Sequence, residues 1–412
     1  MAEQSAMSSS KTGAVLITGI SGYLGVLVAS KLLYSDGIDI VGIVRDLSKT
    51  PAILSNIELE LSAIDPEFDR SLLKQVRFVE LSDIVTASTS GTEMIGSVRD
   101  IVHCAGCVDY FAIEELHKAN VEYTEKMLAL AKMLDVERFI FMSTAYSCGY
   151  IDGAAKENLH GEPEHGDPTE YTKSKRMAEH LVAASGVPYL ILRPSILIGD
   201  SVTGRYSGKR YGLYQQWMGL ERLLCNKYHE DFHTVAPQQP LNLLHQDSFQ
   251  NAFYASYKHA KQNAIVHLVS DTEQAPTMRD LWDLWLNAVF KPQTVYYYDR
   301  FDDVPLKNIN IRQRAYLTFA EKNLEIGSHH WCFENSILRS MMDGGMNFRH
   351  ATIQSVNKCQ DLFVTTSAAT QSFLEKYKTL LSTVDVPHVI DVPVGSSLDG
   401  NITDKNEVEC NG

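Results

Sequence analysis

The sequence of 412 residues has no run of about 18 apolar residues, the length that a membrane-spanning helix requires. It also lacks positive charge: 37 lysines and arginines stand against 51 aspartates and glutamates, a formal net charge of −14. A nucleic-acid surface needs cations to displace condensed counterions, and no basic stripe with interleaved aromatics is present, so nucleic acid is not an expected partner. The seven cysteines are scattered and odd in number, which speaks against a disulfide framework and for a reducing, cytoplasmic compartment. Cys104 and Cys107 have C-x-x-C spacing, but neither a second such pair nor a nearby histidine pair completes a zinc set, and no metal is expected. Residues 1–11 are polar and serine-rich, without the apolar centre of a secretory signal. No internal repeat is found.

Against these absences stands one dense motif. The apolar stretch Ala14-Val15-Leu16-Ile17 runs directly into Thr18-Gly19-Ile20-Ser21-Gly22-Tyr23-Leu24-Gly25, which leads into a helix expected from Tyr23 to about Leu33. Glycines at 19, 22 and 25 allow a sharp turn and a close backbone approach, and the helix N-terminus offers unpaired N–H groups to an anion. A strand–glycine loop–helix unit of this kind is the context in which such spacing signals a dinucleotide.

Strand and helix patterns then alternate. Strands are expected at 38–44, 77–79, 100–104, 138–143 and 187–193, with helices at 51–61, 113–134 and from Tyr171 to about Ala184. This alternation predicts an α/β fold, a Rossmann-type doubly wound parallel sheet with its ligand at the carboxyl ends of the strands. The pattern changes after about residue 195. Residues 13–198 read as the dinucleotide-binding domain, with 235–270 returning to its sheet through strands at Leu241–His245 and Ile265–Ser270. Residues 199–234 and 271–350 read as a smaller, interleaved substrate-binding region, with a helix at 213–224. A helical extension is expected over 351–383, with Leu362, Phe363, Phe373 and Leu380 among its buried positions, and a disordered tail over 384–412.

Two further segments carry chemistry. Tyr171 and Lys175 are four residues apart at the start of a helix, so they share one face. An ammonium near a phenol favours the phenolate, and the spacing predicts a lowered pKa for Tyr171 that suits it to proton transfer. The expected strand Arg138–Ser143 ends in Ser143-Thr144-Ala145-Tyr146, which puts a hydroxyl at the edge of the sheet where a reacting carbonyl could sit.

Together with His103-Cys104-Ala105-Gly106, Asn120-Val121 and Arg193-Pro194-Ser195-Ile196-Leu197-Ile198-Gly199-Asp200, these motifs resemble the extended short-chain dehydrogenase/reductase superfamily. The Ser-Thr-Ala-Tyr segment, the Arg-Pro-Ser-Ile segment and the following Gly-Leu-Tyr helix are most similar to its thioester reductase and fatty acyl-CoA reductase branch. The resemblance covers about residues 13–270. It implies Tyr171 as proton donor, Lys175 as the residue that holds the nicotinamide ribose and tunes Tyr171, Thr144 (with Ser143 as the alternative) as the hydroxyl on the substrate oxygen, and Asn120 in a supporting role. For the cofactor it implies contacts from Thr18, Gly19, Ser21, Gly22, Tyr23, Leu24 and Gly25, from Cys104, Ala105 and Gly106, and from Pro194, Ser195 and Ile196. Asp83, with Ile84, matches the aspartate that meets the adenine.

The end of the second strand selects the form of the cofactor. NAD wants a carboxylate there for the ribose hydroxyl; this chain has Arg45, 26 residues after Gly19, with Lys49 nearby. A guanidinium fork suits a phosphate dianion, so NADP(H) is the expected cofactor. The expected activity is reduction of an acyl thioester, carried on CoA or on an acyl carrier protein, to an aldehyde or onward to an alcohol. A ketone or alcohol dehydrogenase, a sugar-nucleotide epimerase or dehydratase, and a non-catalytic NADPH-binding scaffold remain open beside it, as a monomer or homodimer.

Overall fold

The computed structural model describes residues 13–82, 95–110, 112–209, 211–384 and 386–393. Their strands and helices group into two compact units, one of residues 1–214, 240–275 and 331–362, the other of 215–239, 276–330 and 363–412. The first unit therefore takes in 331–362, which the sequence pattern divided between the substrate region and the helical extension.

The first unit is built on one parallel sheet of seven strands: β1 (Ala14–Thr18), β2 (Ile40–Val44), β3 (Val76–Glu80), β4 (Val98–His103), β5 (Arg138–Met142), β6 (Tyr189–Pro194) and β7 (Ala264–Leu268). Their order across the sheet is β7-β6-β5-β4-β1-β2-β3. The chain steps one way from β1 to β3 and then returns to the other side of β1, which makes the gap between β1 and β4 the topological switch point. Such a gap opens a crevice at the strand ends, where doubly wound folds bind ligands. The two strands finish level, Thr18 opposite His103.

Helices cover both faces, which is why β1 and β2 are buried and free of polar alternation along almost their whole length. Val15, Ile17, Ile140 and Met142 point to one face, under α1 (Tyr23–Asp36), α2 (Thr50–Ile64) and, later in the chain, the helix Gln246–His259. Leu16, Phe139 and Phe141 point to the other, where α3 (Tyr123–Met133) and α4 (Glu170–Ala184) supply Met127, Ala178 and Val182. Each such buried side chain contributes about 1.5–3 kcal/mol by area. A capping box between Thr169 and Thr172 fixes the start of α4.

Three expectations change. The single helix predicted over 113–134 is interrupted: Ile113–His117 and α3 are joined by a π-helical turn, Lys118–Glu122, which contains Asn120. Leu243–His245 does not join the large sheet but pairs in parallel with Ile196–Ile198 as a separate two-stranded sheet. The tail predicted to be disordered contains a strand, His388–Val392, parallel to Thr294–Tyr298. Its β-branched residues Val389, Ile390 and Val392 find a partner strand there; Asp385 and 394–412 of the tail lie outside the described residues, as do residues 1–12.

The second unit has its own three-stranded parallel sheet, with Thr294–Tyr298 between Asp231–Val235 and His388–Val392. Trp217, Phe232, Trp282 and Trp285 are buried in it. In the 353–381 helices Phe363 and Phe373 are buried as expected, whereas Leu362 and Leu380 are exposed. No helix among the described residues is long and apolar enough to cross a membrane.

Candidate active site

The glycine loop closes the end of β1. Gly19 has φ +68°, a left-handed conformation, and a Cβ there would lie 2.6 Å from the main-chain nitrogen of Ala105. A Cβ on Gly25 would lie 2.3 Å from the oxygen of Gly19, so only glycine lets α1 start this close to the turn. Gly22 is the N-cap and has no side-chain cap, and α1 has no acidic residue in its first turn. By helix geometry the first N–H groups of α1, around Tyr23, Leu24 and Gly25, have no partner within the helix. Ser21 is exposed beside them. This is a cradle for an anion, and it fits the pyrophosphate of a dinucleotide.

Tyr171, Lys175 and Glu179 follow one another at intervals of four along α4. Lys175 is buried; its Nζ donates to the oxygen of Met142 at 2.9 Å and lies 4.8 Å from the Phe141 ring. Burial lowers its pKa from 10.5 to about 8, against the opposing pull of Cys104 and Glu179. Gly106, in the loop after β4, meets this side chain: a Cβ there would lie 2.7 Å from Asn120 Oδ1 and 3.3 Å from Lys175 Nζ. Tyr171 departs from expectation. Its pKa is raised, first by burial and then by the neighbouring Tyr110 and Cys107, while the ammonium of Lys175 is engaged with the oxygen of Met142. The phenol is protonated at neutral pH, the form a proton donor needs.

The two candidate hydroxyls have different surroundings. Ser143 donates to Glu179 Oε1, which also accepts from Ser147 Oγ at 2.9 Å and from Arg193 Nε at 2.9 Å. Both Arg193 and Glu179 have fully buried side chains, 2.6 Å apart at Nη2 and Oε2. Ser143 is thus engaged in a buried ionic cluster. Thr144 stands next in the chain, buried, as the N-cap of the turn Ala145–Cys148; its hydroxyl accepts only a long 3.4 Å bond from Tyr146 N–H and has its own proton to give.

Asn120 is fixed from several sides. Its Oδ1 accepts from the Cys107 N–H at 2.8 Å, while Nδ2 donates to the Cys107 oxygen and to Ser174 Oγ, each at 2.9 Å. Ser174 in turn donates to the oxygen of Tyr171 at 2.7 Å. The carbonyl of Asn120 accepts the Thr124 hydroxyl at 2.7 Å. That proton being spent, Thr124 Oγ1 accepts from His103 Nε2 at 3.0 Å, which assigns the proton of His103 to Nε2 and leaves Nδ1 to accept from Thr18 Oγ1 at 2.7 Å. Burial holds His103 neutral, with its pKa lowered to about 3. One chain of hydrogen bonds therefore runs from the end of β1 to the π turn at Asn120, the kind of helix irregularity that recurs at functional sites.

The remaining candidates lie around this centre. Cys104 and Ala105 are half-buried after β4, and burial pushes the Cys104 thiol up to about 12, so it stays a thiol. Pro194 ends β6 and Ile196 opens the following short strand; between them Ser195 is buried with no hydrogen-bond partner for its hydroxyl. An orphaned buried hydroxyl at a strand end fits a site that receives a polar ligand. Arg45 and Lys49 are exposed just past β2. Asp46, next to Arg45 in the chain, accepts from Ser48 N–H at 2.9 Å and Ser48 Oγ at 2.6 Å, and is thereby occupied in its own turn. Asp83 and Ile84 lie outside the described residues.

The structure adds residues that the motifs did not single out. Tyr110 stands with its ring 6.3 Å from that of Tyr171. Glu179 could have been found from its place two intervals after Tyr171, whereas nothing in the sequence pointed to Tyr110. The only group of metal-ligating side chains close enough to hold an ion among the described residues, Asp152, Glu164 and His165, is exposed.

The family model described as male sterility protein, an NAD-binding family, matches residues 17–251, more than half of the chain. A Drosophila melanogaster protein assigned as a fatty acyl-CoA reductase is 22% identical over 306 residues, which cover 63% of this chain and 59% of that protein. The adenylate-forming reductase Nps9 of Serpula lacrymans is 26% identical over 275 residues, 59% of this chain and 24% of its own length. The chain thus spans less than two thirds of either relative. Among solved structures, the terminal R domain of the myxalamid PKS-NRPS biosynthetic pathway has the same fold, with a TM-score of 0.71, 17% identity, and coverage of 88% of this chain and 94% of that one. A thiolation-reductase di-domain from an archaeal non-ribosomal peptide synthetase gives a TM-score of 0.61 at 15% identity, covering 90% of this chain and 76% of that one.

Proposed function

The chain belongs to the male sterility protein family of NAD-binding domains, an extended short-chain dehydrogenase/reductase of the thioester reductase branch, and on that premise we propose that it is an NADPH-dependent reductase of acyl thioesters. The observation that carries this reading is the meeting of Gly106, Asn120 and Lys175 beside the helix face that presents Tyr171. The relatives named for fatty acyl-CoA and adenylate-forming reductases support the substrate class.

In this reading the N–H groups at the start of α1 bind the pyrophosphate, and the exposed fork of Arg45 takes the 2′-phosphate of NADPH. Asp46, tied to Ser48, does not compete for a ribose hydroxyl. Lys175 holds the nicotinamide ribose, and Ser195 offers its unpaired hydroxyl to the same end of the cofactor. The bound nicotinamide supplies a hydride to the carbonyl carbon of the substrate. Thr144 orients the carbonyl oxygen, and Tyr171 gives its proton to the oxyanion that develops there, where preorganised donors lower the barrier most. Collapse of the resulting hemithioacetal expels the thiol and leaves an aldehyde; a second reduction gives an alcohol.

The test is oxidation of NADPH or NADH by the purified chain with acyl-CoAs, acyl-pantetheine thioesters, aldehydes and ketones, followed at the nicotinamide absorbance band. Thioester-dependent loss of NADPH with release of free thiol is expected. Turnover of ketones alone would replace this reading with a carbonyl dehydrogenase. Tight NADPH binding without turnover of any substrate would make the chain a scaffold.

A further inference from the structure

The segment after Ile198 is tied at several points to other parts of the first unit. Its base is fixed: Asp200 Oδ1 accepts from the N–H groups of Val202 and Thr203 at 3.0 and 2.7 Å, and Ser201 Oγ donates to Asp247 at 2.6 Å. Beyond Gly204 it runs over Tyr23, the residue that opens α1. The Tyr206 ring meets Tyr23 edge-on at 5.1 Å and is stacked on Tyr214 at 3.8 Å. A Cβ on Gly208 would lie 2.9 Å from the Tyr23 ring. Tyr23 Oη, at 3.1 Å, and the Ser207 N–H, at 3.3 Å, both donate to Gln246 Oε1.

One further anchor holds this segment from outside. Arg205 clasps Glu60 of α2 with two parallel bonds, Nη1 to Oε1 at 2.8 Å and Nη2 to Oε2 at 2.6 Å. Glu60 is 2% exposed, on the buried side of α2 beside Ile57 and Leu61, while the side chain of Arg205 is 35% exposed. As a source of stability a buried carboxylate here is a poor choice, since an apolar side chain of similar volume would hold the helix as well. What the bidentate pair adds is direction. It pins a segment 145 residues away in sequence across the start of α1, and water reaches it from the arginine side.

We propose that residues 205–209 form a strap across the dinucleotide site and that Glu60–Arg205 is its latch. Both are positioning residues for the cofactor: they set how long it stays bound and do not touch the reacting atoms. This rests on the placement of NADPH at the glycine loop given above. The strap closes over the N–H groups of α1, so the cofactor leaves only when the latch opens.

The experiment measures NADPH dissociation by stopped-flow fluorescence, with limited trypsin digestion at Arg205 and Lys209 in parallel, for the wild type and Glu60→Gln. The expected result is an off-rate at least about tenfold faster in the variant, with NADPH no longer protecting the strap from cleavage. An off-rate within twofold of wild type overturns the strap, even if cleavage accelerates, because the segment would then open without freeing the cofactor. Should Glu60→Gln fail to fold, Glu60→Leu/Arg205→Met keeps the packing without the pair and is read by the same off-rate. Failure of the wild type itself to bind NADPH would overturn the cofactor placement and the strap together, whereas wild-type binding with an unchanged off-rate in the variants removes the strap alone.

Discussion

Lys175 Nζ donates to the main-chain oxygen of Met142 at 2.9 Å. One side chain thereby fastens α4, which carries Tyr171, to the end of β5, which Ser143 and Thr144 follow. Together with the bonds of Ser143 and Ser147 to Glu179 on the same helix, it sets the placement of the proposed proton donor relative to the candidate hydroxyl, and its donor is an ammonium whose proton burial has loosened.

That loosening gives a pH dependence with a definite sign. With its pKa lowered to about 8, Lys175 is charged below that pH and neutral above it. An ammonium that holds ribose hydroxyls works in its charged form, so kcat/KM for NADPH falls as pH rises through about 8. This parameter reports the free enzyme. Lys175→Arg keeps its charge at all these pH values and loses the limb, at whatever residual rate its different shape allows. A limb that persists unchanged in Lys175→Arg would assign it to another group.

Tyr171 behaves differently. Burial, Tyr110 and Cys107 raise its pKa, so the phenol is protonated across the neutral range and adds no limb there. Tyr171→Phe removes the proton and leaves the ring; kcat drops by about 10²–10⁴, the usual range for a general acid. NADPH affinity, measured by fluorescence titration, stays within a fewfold of wild type. Full turnover in this variant would remove Tyr171 from the chemistry.

Thr144 and Ser143 are neighbours whose substitutions should separate cleanly. Ser143 spends its proton on Glu179, beneath the site. Thr144→Ala lowers kcat by about 10²–10³, as loss of one oxyanion donor does. Ser143→Ala leaves Glu179 with two bonds from Arg193 and one from Ser147, so it acts on stability, by about 1 kcal/mol. Steady-state kinetics beside thermal melts distinguish the two; equal losses of kcat would show that both hydroxyls reach the substrate.

The part of the fold that the sequence discloses is the part with strong local causes. Strands covered on both faces must be apolar, so β1 and β2 stand out as runs, and the glycine loop shows itself because Gly19 and Gly25 admit no Cβ. The π turn at Asn120 does not show, since its apolar spacing is that of an ordinary helix and its cause is remote: Asn120 is held by Cys107, 13 residues away, and by Ser174, 54 away. The strand His388–Val392 is hidden for the same reason, as it exists through its pairing with Thr294–Tyr298. The interval of four disclosed Tyr171 and Lys175, but the direction in which the ammonium turns depends on the carbonyl of Met142, which no helix pattern encodes.

In the proposed reading, Arg45 selects NADPH over NADH. It is exposed past β2, and Asp46 beside it is occupied by Ser48. Arg45→Ala should raise KM for NADPH by about 10- to 100-fold, the worth of a hydrogen-bonded charge at about 1.5–3 kcal/mol, and leave KM for NADH nearly unchanged. The ratio of kcat/KM for the two cofactors is the measurement. A ratio that does not move would transfer the 2′-phosphate contact to Lys49 or to another cation.

Three glycines of the site can be ranked by what a single methyl would meet. In Gly25→Ala the new carbon would lie 2.3 Å from the Gly19 oxygen, main chain against main chain, so α1 must move away from the turn. Overpacking of this kind costs about 1–3 kcal/mol, and here it also displaces the N–H groups proposed to meet the pyrophosphate. Gly25→Ala therefore lowers the melting temperature of the free protein and weakens NADPH binding together. Gly106→Ala meets Asn120 Oδ1 at 2.7 Å and Lys175 Nζ at 3.3 Å, the latter the far end of a flexible side chain. It should bind NADPH more nearly as wild type does and lose kcat, because it disturbs the group beside Tyr171 rather than the anion cradle. Gly22→Ala, with its nearest neighbour the Gly19 oxygen at 3.1 Å, is the mildest of the three in the free protein. Melts and NADPH titrations of the three variants give this order directly. A Gly25→Ala protein that melts and binds like wild type would mean that α1 starts farther from the turn, and the cradle would lose its geometric basis.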